Sequence, residues 1–161
     1  MTNEQLTALA DELRLRQVHG AHLRAGACIS DPRREKVVPM VESWAFADGT
    51  VPLAADEAVK ALQRAIAAGK LESWLISSSG RLLAVVSNTE RAMVMLLECE
   101  GDPGKHAVDP TAEGWSGGFV LANGQSDEYP DADTVPLAEA LGVVHHVLAV
   151  GTPPVETAWM R

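Results

Sequence analysis

The chain reads as an α+β fold: an antiparallel β-meander sheet with helices packed on one face, in a single domain spanning residues 1–161. Three observations predict it. Strand-like segments follow one another from Ser73 to Tyr129 with no helix between them. Short turn signals join those segments as hairpins, and 3.6-residue apolar periodicity is confined to the segments before and after them. The strict strand–helix alternation that a doubly wound parallel sheet requires is missing.

Taken in order, residues 4–18 predict a helix, with Leu6, Leu9, Leu13 and Val18 at near-helical spacing and Gly20 stopping it. The Gly- and Ala-rich stretch holding His19, His22 and Cys28 carries no clear periodicity, and Asp31–Lys36 is a charged loop, so residues 1–40 amount to a helix and a loop. Residues 37–47 contain an extended run, which Pro39 makes an edge strand or confines to its later residues. Asp48-Gly49 is a turn. Residues 54–68 predict a helix with Val59, Leu62 and Ile66 on one face and Gly69 at its end.

Ser73–Ser77 and Arg81–Ser87 flank Ser78-Ser79-Gly80 as a hairpin with a three-residue loop. The unbroken apolar run Leu82–Val86 belongs in the middle of a sheet, buried on both sides. After a turn at Asn88–Glu90, Met93–Cys99 is the next strand, closed by Asp102-Pro103-Gly104. His106–Val108 is a short strand. Gly114–Gly118 reads as a glycine-rich loop into Phe119–Ala122, and Asn123-Gly124 is the strongest hairpin signal in the chain. Residues 136–150 predict the last helix, with Leu137, Leu141, Val144 and Leu148 on one face and Gly151 behind it. The pentapeptide Thr50-Val51-Pro52-Leu53-Ala54 recurs as Thr134-Val135-Pro136-Leu137-Ala138, which reads as one capping chemistry starting two helices.

Length and composition, 161 residues with 47% apolar and 22% charged, suit one domain with its own core. Two cysteines outside any CxxC pair fit a reducing compartment and supply no zinc framework. The acidic, amphipathic start is unlike a secretory signal, and no run of about 18 apolar residues could span a membrane, so the cytoplasm is the expected compartment.

The net charge is −9, and its place matters more than its size. Glu98, Glu100, Asp102, Asp109, Glu113, Asp127, Glu128, Asp131, Asp133 and Glu139 lie in one segment with Lys105 as its sole base, while acids and bases balance elsewhere. Such a segment repels nucleic acid and anionic membrane and attracts a basic protein surface, though it serves equally as a solubilising face. Trp115 and Tyr129 lie within it, and an aromatic ringed by charge is the usual composition of a protein-binding hot spot. The expected partner contacts are Glu98, Glu100, Asp102, Trp115, Asp127, Glu128, Tyr129, Asp131 and Asp133. Trp44 and Trp74, in strands, are expected in the core.

Catalytic signals are weak, and we expect no enzyme, cofactor or metal. His19 and His22 with Cys28 could hold a metal only if Gly20 did not break their helix. His145 and His146 are adjacent and point about 100° apart. Cys99 stands between Glu98 and Glu100, which disfavour a thiolate. The G-x-S-x-G elbow, the phosphate-cradling GxxxxGK[ST] loop and the EF-hand pattern are absent, and Asp127–Asp133 ranks lower as a loose calcium chelator than as a protein contact.

The runs GRLLAVVSNTERAMVMLLECEGDPGKHAVDP, GGFVLANGQSDEYPDADTVPLAEAL and PPVETAW resemble the actinobacterial immunity proteins of bacterial polymorphic toxin systems, in the class catalogued as immunity family one. The resemblance covers about residues 71–161. Asn123, Gly124, Asp127, Tyr129, Pro130 and Trp159 stand at matching motif positions. It implies a cytoplasmic antidote that binds a cognate toxin domain, often a nucleic-acid deaminase. Such a toxin needs a basic cleft, which an acidic inhibitor can fill. Two other readings stay open: an adaptor or regulatory module binding a basic partner, and a metal-dependent enzyme using the histidines or Cys28.

Overall fold

The computed structural model describes residues 42–49 and 51–161. The expectations for residues 4–18, for His19, His22 and Cys28, for Asp31–Lys36 and for Pro39 lie outside the described residues.

The α+β reading holds. The first five strands form an antiparallel meander: β1 (Trp44–Phe46), β2 (Glu72–Ser77), β3 (Leu82–Ser87), β4 (Arg91–Leu97) and β5 (Lys105–Val108). A late strand, β9 (Ala158–Met160), extends the sheet beyond β5, giving the order β1-β2-β3-β4-β5-β9. The two-residue β8 (Val135–Pro136) pairs with the start of β4. Helix α1 (Ala55–Ala67) enters between β1 and β2, and helix α2 (Leu137–Val150) follows β8.

Both helices pack on one face of the sheet. Ala58, Leu62 and Ile66 of α1 and Ala140, Val143, Val144 and Val147 of α2 meet Leu75, Leu83, Val85, Val94 and Leu96. The buried stripe of α1 falls on Ala58 rather than Val59, and that of α2 is centred on Val143 and Val147, with Leu137 and Leu141 at its margin. The opposite face carries Trp74, Ala84, Val86, Met93, Met95 and Leu97 and is covered by a two-stranded ribbon, β6 (Trp115–Val120) with β7 (Ser126–Pro130), through Phe119 and Tyr129. This two-sided burial is why Leu82–Val86 of β3 and Ala92–Leu97 of β4 are apolar throughout rather than alternating.

Local chemistry sets the joints. Asn88 Oδ1 accepts the amides of Glu90 and Arg91, closing the β3–β4 turn. Gly104, at φ +75°, lets the chain turn against Leu97, where a Cβ would lie 3.1 Å from Leu97 Cγ. The capping expectation for the repeated pentapeptide is corrected: the helices are capped by Ala54 and Pro136 without side-chain hydrogen bonds. Each copy instead makes a short antiparallel bridge, Leu53 to Trp44 and Val135 to Ala92. Thr134 is spent elsewhere, accepting a hydrogen bond from Arg91 Nε at 2.8 Å.

Cys99 is disulfide-bonded. The cysteine count, read as fitting a reducing compartment, did not anticipate this, since count and spacing do not reveal a disulfide. Among the described residues no helix is long and apolar enough to cross a membrane.

Candidate partner-binding face

The acidic segment is not one surface. Glu98, Glu100 and Asp102 lie in the β4–β5 turn, at the far end of β4 from Arg91, about 20 Å away at strand spacing. Asp131 lies at the Arg91 end, within 4.0 Å of that guanidinium. Much of the charge is also consumed internally. Glu98 pairs with Arg81 at 3.0 Å and Lys105 at 4.0 Å, and Asp102 accepts the Glu98 amide. Asp109 accepts the Thr111 hydroxyl at 2.7 Å and faces Arg91, and together these hold its carboxyl below the usual range.

Two expected contact residues are corrected. Tyr129 is 1% exposed: its ring meets Phe119 edge-on at 4.9 Å, and its hydroxyl donates to Asp127 Oδ2. Burial, then the Asp127 and Glu72 carboxylates, push its pKa well above the ordinary phenol value. Asp133 is 7% exposed and faces His106. Both point inward because β7 and the following 3-10 turn (Asp131–Asp133) lie against the sheet. Asp127 and Asp131 are half-buried and structural as well. Asp127 takes the Tyr129 hydroxyl and the Gln125 amide; Asp131 takes the Ser116 hydroxyl at 2.6 Å, and its carbonyl accepts from Arg91.

The ribbon brings the remaining residues together. Ser116 pairs with Tyr129 and Phe119 with Asp127, so two residues on β6, Gly117 and Gly118, oppose Glu128 alone. That is a β-bulge, with Gly118 at φ +83°, and it corrects the reading of Gly114–Gly118 as a loop. Asn88 Nδ2 pins the bulge by donating to the Gly117 carbonyl at 3.0 Å. With Ser116, Phe119, Asp127 and Tyr129 facing the sheet, Trp115, Val120, Glu128 and Pro130 fall on the outer face. Trp115 is 70% exposed, the most exposed aromatic ring among the described residues. Glu128 and Glu113, two residues before Trp115, are exposed, and neither forms an ion pair or hydrogen bond among the described residues.

Sequence reasoning missed three polar residues beneath this face, Glu72 and His106 buried and Arg91 half-buried. Arg91 joins Thr134, Asp131 and Asp109; Glu72 accepts the Trp74 indole at 2.6 Å and the Ala122 amide; His106 lies under the 3-10 turn. Nothing in their spacing distinguishes them from surface residues on an alternating strand. Trp44 and Trp74 are buried as expected. His145 is exposed with Nε2 3.0 Å from Asp56, on a different side of α2 from the half-buried His146. No cluster of three or more His, Cys, Asp or Glu able to hold a metal occurs among the described residues, Asp127–Asp133 included.

His106 makes stability depend on pH. Its Nε2 lies 3.6 Å from Asp133 Oδ1, beyond hydrogen-bonding distance. Burial lowers its pKa, only partly opposed by Asp133. The unfolded chain, with an imidazole near 6.5, then binds the proton more readily than the folded one. Stability from this group is full above about pH 6.5 and is lost as the pH falls below it. The thermal midpoint is expected to drop between pH 7 and 5 and to drop less in His106→Gln. An equal drop in that variant would remove His106 as the cause.

Compared with protein-family models, with curated proteins and with solved structures, the chain matches none.

Proposed function

We propose that this chain is an immunity protein that binds and neutralises a cognate toxin acting on nucleic acid, a deaminase by the family resemblance. It does so by seating the outer face of the β6–β7 ribbon in the toxin's basic substrate cleft. The observation that carries this reading is Trp115, 70% exposed on a braced ribbon with the exposed carboxylates of Glu113 and Glu128, which form no ion pair among the described residues. An apolar ring left in water costs free energy that a partner recovers on binding, and tryptophan dominates protein hot spots. Carboxylates without internal cations steer a basic partner and compete with its nucleic acid. The inhibitor needs no cofactor and performs no chemistry of its own.

The reading places the protein in the cytoplasm, beside the nucleic acid it protects. The disulfide at Cys99 is unusual for that compartment. Thiol alkylation in cell extracts reads its state there.

The test is binding to the toxin domain encoded by the neighbouring gene. A 1:1 complex is expected, with association slowing about ten-fold between low and physiological salt. Combined Trp115→Ala, Glu113→Gln and Glu128→Gln should weaken affinity by about 30-fold or more without lowering the thermal midpoint. Reversing Asp127, Asp131 and Asp133 would not be a fair test, because those carboxylates hold the ribbon and the 3-10 turn. Full protection by the triple variant would move the contact elsewhere; a neighbouring gene for transport or signalling would favour an adaptor.

A further inference from the structure

We infer that the outer face of the ribbon is a receptor for one guanidinium group, with the Trp115 ring and the Glu128 carboxylate as its walls and Gly117 as its floor. This deepens the partner-binding reading of the same face and rests on it. Trp115 and Gly117 are two residues apart on β6, about 7 Å along the strand, and Glu128 faces the bulge from β7. The Glu128 side chain lies across the bulge: a Cβ on Gly117 would sit 3.3 Å from both its Cγ and its Oε1. The carboxylate therefore lies low over the ribbon on the side where the indole stands open, and a Cβ at 117 would crowd it. The Gly117 carbonyl beneath is taken by Asn88, so the floor is held in place.

The chemistry selects the occupant. A planar, weakly hydrated cation can stack on the indole while its N–H edge bonds the carboxylate, and arginine does both at once. An ammonium group is a compact, strongly hydrated charge and gains less from the ring. A divalent metal needs more oxygens than one carboxylate supplies. A second copy of this chain is disfavoured by the −9 charge that two copies would bring together.

The probes are N-acetyl-arginine methylamide and N-acetyl-lysine methylamide, titrated into the full chain at constant ionic strength. The Trp115 indole N–H is followed by NMR and assigned with Trp115→Phe. The arginine probe should shift that resonance saturably, with half-saturation at tens of millimolar, and about three-fold or more tighter than lysine. Glu128→Gln should weaken the arginine effect several-fold, whereas Glu139→Gln, which removes the same charge from the start of α2, should not. Equal responses to the two probes, or an unchanged response in Glu128→Gln, overturn the inference. So does a Trp115 shift that follows protein dilution without any probe, since a second copy would then occupy the face. No toxin enters this assay. If the probe fails while the toxin still binds through Trp115, the guanidinium site falls and the proposed function stands.

Discussion

Arg91→Ala is expected to lower unfolding free energy by about 3 kcal/mol, read as a shift in the urea midpoint at unchanged slope. Three strong hydrogen bonds leave this one side chain, each 2.8 Å: Nε to Thr134 Oγ1, and one terminal nitrogen to the carbonyls of Asp131 and Thr134. Asp109 and Asp131 flank the guanidinium at 3.7 and 4.0 Å. Arg91 begins β4, and its partners lie in the segment joining the ribbon to α2, so the fork fastens the ribbon layer to the sheet. Alanine leaves half-buried acceptors unpaired and two carboxylates without their cation. Lysine keeps the charge but cannot span three acceptors in a plane, so Arg91→Lys should recover less than half of the loss. A cost below about 1 kcal/mol for Arg91→Ala would show that β8 and the 3-10 turn are held by packing alone.

Phe119→Ala should cost about 3–5 kcal/mol, the usual range for emptying a buried aromatic site. Phe119 is fully buried, packs edge-on against Tyr129, and is the ribbon's main apolar contact with the sheet. The ring contact adds about 1 kcal/mol beyond the area it buries. Loss should concentrate in the ribbon, because the helices cover the other face and do not depend on it. Native-state hydrogen exchange should then quicken about 100-fold or more in β6 and β7 relative to β3 and β4. Uniform acceleration across all four strands would show instead that the ribbon and sheet open as one unit. Partner binding should be lost with the ribbon, since Trp115 and Glu128 are positioned only while it is docked.

Much of the frame was legible because it rests on local chemistry. Gly69 and Gly151 end the two helices, Gly80 sits in the β2–β3 loop, and Gly124 in the ribbon hairpin. The all-apolar run Leu82–Val86 of β3 announced a strand covered on both sides, though not what covered it. The glycine-rich stretch from Gly114 read as a loop because glycine signals freedom from strand geometry. Here that freedom makes a bulge inside a strand, a role set by the opposing residues of β7. Tyr129 and Asp133 read as surface residues because their neighbours are charged. A strand that lies flat on a sheet turns alternate residues inward whatever their polarity, and Asp127 and Tyr129 satisfy one another there.

Taken alone, the sequence determined the α+β class, the antiparallel meander, both described helices and the concentration of acid between Glu98 and Glu139. These follow from periodicity, turn residues and counting, each of which operates over a few positions of chain. Only the tertiary structure decided that this charge is divided between two ends of a sheet and that Glu98, Asp109, Asp127 and Asp131 are spent on Arg81, Arg91, Ser116 and Tyr129. It alone left Trp115 and Glu128 facing outward together. The reason is physical: whether a carboxylate is available depends on which cation or donor the fold brings to it, and those partners lie tens of residues away in sequence.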